Sequence, residues 1–248
     1  MSKPKIAIFD FACCEGCQLQ IVNLEEAILD LLGVADVVEW REARSEQSEV
    51  YDIAIIEGSI TRPQDEEKLK VIRSRAKILI ALGACAATGG VNKLKNNFDL
   101  EDVKKCVYKD AASKPHLATA MTKACDEVVK VDFKVHGCPI HRKEFVYIVK
   151  SLLLGKTPEI PDYPVCVECK ANGNPCLWDY GQICLGPITR AGCDARCPTN
   201  GSRCFGCRGY VDNPNVEAAK EVISKYNLKV EDLKSKVVLF GSMQEPTL

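Results

Sequence analysis

The chain has 248 residues, 46% hydrophobic and 27% charged, with 15 cysteines and with 33 Lys and Arg against 34 Asp and Glu. That length supports a conventional core in one domain, or in a domain with an appendage. A net charge of -1 and a pI near 6.3 give no electrostatic case for nucleic acid or an anionic membrane surface.

Five apolar runs read as strands: Lys5–Phe11, Val34–Trp40, Asp52–Ile56, Lys77–Leu82 and Val128–Val135. After the first, Gln18–Leu32 has a helical period carried by Leu19, Val22, Ile28, Leu29 and Leu32, and Pro63 opens a charged helical stretch, Gln64–Arg75. One or two irregular helices are expected between Gly89 and Asp126, and a helix over Arg142–Leu154. Strands alternating with helices predict an α/β fold, a flavodoxin-like doubly wound and mostly parallel sheet with helices on both faces, over residues 1–160. Residues 161–248 form a second unit. Up to Gly209 it is rich in Cys, Gly, Pro and Asn without a long periodic segment, so it needs an internal staple. Its tail, Asn215–Tyr226 and Val230–Val237, is amphipathic, with Asn227 as a helix stop and a packing role expected.

No 18-residue apolar run could span a bilayer, and no charged n-region with a cleavage site precedes the first strand, so a cytoplasmic protein with no membrane contact is expected. Disulfides are rare in that compartment, and an odd cysteine count cannot pair completely. The cysteines therefore point to metal.

Open parallel sheets bind ligands beyond the carboxyl ends of their strands. Cys14 and Cys17 follow the first strand, Cys85 follows the fourth in Gly83-Ala84-Cys85-Ala86-Ala87-Thr88-Gly89-Gly90, and Cys138 follows the last in His136-Gly137-Cys138-Pro139. Four converging thiolates suit a zinc ion or an iron-sulfur cubane. One local pair joined by two distant singles, with glycines that let the backbone approach, favours the cluster. The late segment runs Cys166-x2-Cys169-x6-Cys176-x7-Cys184-x8-Cys193-x3-Cys197-x6-Cys204-x2-Cys207, eight thiolates for two four-ligand sites of iron-sulfur or zinc type.

These motifs resemble the proximal-cluster motif of nickel-iron hydrogenase small subunits, a fold shared with the 20-kDa-type subunit of respiratory complex I. Adjacent Cys13 and Cys14 match the complex I spacing, but Cys17 supplies the hydrogenase one. The string Cys184-Leu185-Gly186-Pro187-Ile188-Thr189-Arg190-Ala191-Gly192-Cys193 resembles the hydrogenase link between distal and medial clusters. The local strings Cys-Gln-Leu-Gln after Gly16, Ile-Glu-Gly-Ser at 56–59 and Tyr-Pro-Val-Cys at 163–166 are most similar to the small, or delta, subunit of cytosolic bidirectional hydrogenases and sulfhydrogenases.

The resemblance implies three 4Fe-4S clusters in an iron-sulfur-stapled protein. The proximal one would use Cys14, Cys17, Cys85 and Cys138, the medial one Cys193, Cys197, Cys204 and Cys207, and the distal one Cys166, Cys169, Cys176 and Cys184. Two departures from periplasmic relatives are Cys166 in place of a histidine and Cys197 as a fourth medial thiolate. Ile140 stands where the family often has a second proline. Also implied are an oxidoreductase subunit with no catalytic residue of its own, a nickel-iron large subunit as partner, and iron-sulfur and flavin subunits of an NAD(P)-reductase as electron acceptors. Alternatives are a deazaflavin-reducing or heterodisulfide-reductase-linked hydrogenase and a structural zinc-binding adaptor. A quinone-linked, complex I-like subunit is disfavoured by the eight late cysteines.

Cys13, Cys106 and Cys125 are expected as packing or incidental thiols, His116, His136 and His141 as structural, with donation to a cluster sulfur the alternative for His136, and Glu15 and Glu57 as carboxylates capping loop amides, with proton handling or partner contact as their alternative. No Gly-x-Gly-x-x-Gly or Walker pattern occurs, which places nucleotide binding on another chain.

Overall fold

The structure, a computed structural model, describes residues 3–111, 113–213, 216–226, 232 and 236–240. Strands β1 (Lys5–Asp10), β2 (Asp36–Trp40), β3 (Ile53–Glu57), β4 (Ile78–Leu82) and β5 (Phe133–Val135) form one parallel sheet in the order β2-β1-β3-β4-β5. Parallel neighbours need crossover connections. Here these carry α1 (Gly16–Val22), α2 (Glu26–Val34), α3 (Pro63–Arg75), α4 (Gly83–Thr88) and α5 (Leu100–Tyr108), while α6 (Arg142–Leu153) follows β5. The strand order is that of flavodoxin-like folds.

Both sheet faces are buried, which explains why the strands read as continuous apolar runs. Ile6, Ile8, Ile53, Ile55, Ile80 and Leu82 share one face with Ile21 of α1 and Phe145, Ile148 and Val149 of α6. Ala7, Phe9, Ala54, Ile56, Leu79 and Ala81 pack on the other with Leu69 and Ile72 of α3.

Three expectations change. The helix expected over Gln18–Leu32 is two helices, because Glu25 has φ 56 and breaks the period. Of the residues that carry the period, Leu19, Val22, Leu29 and Leu32 are exposed, while the neighbouring Cys17, Gln18, Ile21 and Leu24 are buried. Val34 ends α2, and β2 begins only at Asp36, whose amide donates to the Pro4 carbonyl at 2.9 Å. The last strand is short. Val128, Val129 and Val131 pack on the core outside the sheet ladder, and at Asp132 the amide donates to the Leu79 carbonyl at 3.0 Å while the carboxylate, in place of a backbone carbonyl, accepts from the Leu79 amide at 2.8 Å.

After α6 come α7 (Val165–Ala171), α8 (Arg196–Thr199) and α9 (Val216–Lys225). A third cluster gathers Val165, Leu177, Trp178, Leu185 and Ile188 with Ile223 of α9 and Val237. Thus α9 falls within the helix expected at 215–226. Asn227 and most of Val230–Val237 lie outside the described residues. Among the described residues no helix is long and apolar enough to cross a membrane.

At the amino edge of the sheet, Asp52 accepts from the Lys5 amide at 2.8 Å and pairs with Lys77 Nζ at 2.8 Å. The Lys5 hydrogen bond and then the Lys77 ammonium hold its carboxyl below the usual carboxylate range. A depressed carboxylate stabilises the fold above its unfolded pKa of about 3.9, and that contribution is lost as pH falls through the folded value. Asp52→Asn is therefore expected to flatten the acid limb of stability below about pH 4, measured by denaturant unfolding across pH.

Candidate metal centres

The carboxyl edge of the sheet gathers the first set of cysteines. The turn after β1 passes through Glu15 in the left-handed region, φ 60, and places Cys17 in the first turn of α1. After β4, Gly83 (φ +78) starts α4, which carries Cys85. Gly90 (φ +58) passes so close to it that a Cβ there would lie 2.9 Å from Cys85 Sγ. The loop after β5 carries Cys138, and the Gly137 carbonyl accepts from the Ala84 amide at 2.7 Å, tying it to α4.

These thiols act on one another. Burial pushes Cys85 up to about 12, with further upward pushes from Cys138 and Cys14. Burial, then Glu57, raises Cys17 well above the usual thiol range, with Cys138 and Cys85 contributing. Cys138 is raised by burial and by Cys14. In the metal-free chain such thiols stay protonated. A bound metal centre would deprotonate them, and the Ile140 amide beside Cys17 favours that thiolate. Cys13 is half-buried and pushed up to about 12 by burial and Glu57, with Cys85 the one other thiol acting on it.

Glu57, 2% exposed, ends β3 under this group. Its two oxygens accept from the amides of Cys17 and Gln18, each at 3.0 Å, so it caps the N-terminus of α1 from across the sheet. The capping expected of it is met. Glu15 instead pairs with Arg41 at 2.8 Å. Hydrogen bonds to a charged acceptor are worth about 1.5–3 kcal/mol each. Glu57→Ala should therefore lower unfolding stability by about 3 kcal/mol in denaturant titration.

In the late segment, Cys166, Cys169, Cys176 and Cys184 line one cavity of about 260 Å³ with Trp178, Lys170 and Tyr226. Burial pushes Cys166 up to about 12, followed by Cys184, Cys169 and Cys176. Gly186 leaves room there, since a Cβ would sit 3.2 Å from Cys166 Sγ. The Cys204 amide donates to Cys184 Sγ at 3.2 Å. The remaining four are gathered less evenly. Cys207 is pushed up to about 12 by burial and feels Cys193 and Cys138, and Cys204, raised by burial, feels Cys184 and Cys207. Cys197 is raised by burial with Arg196 as its charged neighbour, and no other cysteine acts on it.

The donor set fits iron-sulfur chemistry: thiols in groups, close glycines, and amides aimed at sulfur. Among the described residues no three His, Cys, Asp or Glu side chains form a group able to hold one metal ion. Of the spare cysteines, Cys125 is buried in the core beneath β3 and Cys106 is exposed.

Three site-ordering residues escaped the sequence reading. Glu168 accepts from the Gly192 amide at 2.7 Å and the Ala195 amide at 3.0 Å, shaping the Cys193 loop. Arg208 is 1% exposed and pairs with buried Glu144. Their partners lie 17 to 72 residues away, so no local pattern marks them. His136 is pushed down to about 3 by burial and then Arg208, which keeps it neutral.

The sequence profile of the NADH ubiquinone oxidoreductase, 20 Kd subunit, family matches residues 14–152. Sulfhydrogenase 2 subunit delta of Pyrococcus furiosus is 35% identical over 239 residues, covering 96% of this chain and 99% of that protein. A chain of the vhu F420-non-reducing hydrogenase of Methanocaldococcus jannaschii is 31% identical, covering 84% and 82%. Among solved structures, an NAD+-reducing [NiFe]-hydrogenase in the H2-reduced state aligns with TM-score 0.57 at 26% identity, over 64% of this chain and 96% of that one.

Proposed function

Because this chain belongs to the NADH ubiquinone oxidoreductase, 20 Kd subunit, family, we propose that it carries electrons through three 4Fe-4S clusters from a nickel-iron site on a separate large subunit. It is a hydrogenase-type oxidoreductase subunit, the small subunit of a nickel-iron hydrogenase-type complex. The convergence of Cys14, Cys17, Cys85 and Cys138 on one sheet edge carries the reading. The cavity lined by Cys166, Cys169, Cys176 and Cys184 supports a second cluster, and Cys193, Cys197, Cys204 and Cys207 would hold the third.

Bound clusters would supply one-electron redox chemistry. The chain's own residues would set ligand type, exclude water and aim amides at sulfur, which tunes potential. Cys14 and Cys138 are exposed, on the side where a large subunit would dock, and Trp178, by donating to the Cys184 carbonyl at 3.0 Å, walls the proposed distal site. The two-unit division, 1–160 holding the proximal cluster and 161–248 the other two, is supported by the separate cluster of apolar residues after Pro164.

Electrons would leave toward iron-sulfur and flavin subunits that reduce NAD(P), a reading supported by the NAD+-reducing neighbour. A second reading is a deazaflavin-reducing or heterodisulfide-reductase-linked hydrogenase, and one relative is a subunit of an F420-non-reducing hydrogenase. Iron and acid-labile sulfide analysis of the purified complex, with low-temperature EPR after reduction, tests the clusters: about twelve irons on this chain are expected, four per cluster. Zinc without iron would overturn the proposal in favour of a structural adaptor. Hydrogen-driven reduction of NAD(P)+ against heterodisulfide separates the acceptors.

A further inference from the structure

Arg208 has its whole guanidinium fork engaged between two cysteine loops. Nε donates to the carbonyls of Arg190 at 3.2 Å and Ala191 at 2.8 Å, two residues before Cys193. Nη1 donates to the His136 carbonyl at 2.7 Å, two residues before Cys138, and to Glu144 Oε2 at 2.8 Å. Nη2 donates to Glu144 Oε1 at 2.5 Å. Gly192 keeps this space open, because a Cβ there would lie 2.6 Å from Glu144 Oε1 and overlap the Arg208 fork. Arg208 directly follows Cys207, and the Cys138 backbone and thiol are among the groups that act on the Cys207 thiol.

We infer that Arg208, braced by Glu144, is the positioning residue for electron hand-over between the proximal and medial centres, holding the Cys138 loop against Cys207. The inference rests on the cluster assignment proposed above. The Arg208 fork ties the His136 carbonyl, two residues before Cys138, to the residue that follows Cys207. Clusters held by these cysteines would supply one-electron transfer, one losing and the other gaining a single electron with no proton or bond changing hands. A planar five-donor fork is suited to such a clamp, whereas a lysine ammonium is a point charge that cannot reach the same acceptors.

The test uses the assembled complex with Arg208→Lys, Arg208→Met and Glu144→Gln. The readouts are iron content, the magnetic interaction between reduced proximal and medial centres by EPR, the medial midpoint potential, and hydrogen-driven dye reduction as a ratio to H2/water isotope exchange, which needs no electron to leave. In iron-replete Arg208→Lys the ratio should fall about tenfold, since small misplacements of reacting partners carry large rate costs, and the EPR interaction should weaken. Arg208→Met, which leaves Glu144 uncompensated, should in addition lower the medial potential. Unchanged ratio and EPR interaction in iron-replete Arg208→Lys and Glu144→Gln would overturn the inference, even if Arg208→Met loses iron, and would reduce Arg208 to a folding role. A wild-type chain without iron would instead sink the cluster assignment.

Discussion

Cys85→Ser is expected to lose the proposed proximal cluster entirely, lowering iron by about four per chain and abolishing electron delivery from the partner. Cys85 is the one ligand candidate supplied by α4, and its thiol is in electrostatic contact with Cys138 and Cys14. A serine hydroxyl is a poor substitute for a thiolate toward iron, and no spare thiol is well placed to take over. Cys13 feels Cys85 but is bound to the backbone turn of Glu15, and Cys125 is sealed in the core. Cys184→Ser should cost the distal cluster by the same reasoning while leaving the proximal EPR signal, because Cys184 belongs to the cavity of Cys166, Cys169 and Cys176. Cys106→Ser, at an exposed thiol on α5, should leave iron unchanged. Iron, labile sulfide and EPR on the three variants check this pattern, and full iron in Cys85→Ser would remove that residue from the ligand set.

Gly83→Ala is the second large effect, and it adds a single methyl group. Gly83 has φ +78, a conformation that L side chains rarely adopt, and a Cβ built there overlaps the Cys17 Sγ. The neighbouring Ala84 amide holds the Gly137 carbonyl, so the backbone has little freedom to retreat from the overlap. Backbone strain of this kind costs of order 1–3 kcal/mol, and displacement of Cys17 would remove a proposed ligand. The expected outcome is a chain that folds with lowered stability, lacks the proximal cluster and keeps the two later ones. Iron analysis with EPR checks it. Gly173→Ala, also at positive φ but with open space around it, should lose stability without losing iron.

Much of the fold was legible because parallel strands buried on both faces must be apolar throughout, as in Ile53–Glu57 and Ile78–Leu82. Which face of α1 packs is not legible, for the converse reason. Periodicity identifies an apolar stripe, but which side meets the sheet depends on the turn at Glu15 and the break at Glu25. Leu19 and Val22 satisfy the helical period as well as Ile21 does, and only Ile21 packs. The strand ending at Val135 was overextended because Asp132 substitutes a side-chain oxygen for a ladder carbonyl, an event that composition does not encode.

By itself the sequence determined the α/β class, the family and which cysteines lie just beyond strand ends, because these depend on residue type and spacing along the chain. Only the tertiary structure decided that Glu57 reaches across from β3 to cap α1. It also decided that Glu168 shapes the Cys193 loop and that Arg208 bridges loops 72 residues apart. Each of these is a charged side chain satisfied by distant backbone. A buried charge persists only where its partners surround it, and chain folding alone brings those partners together.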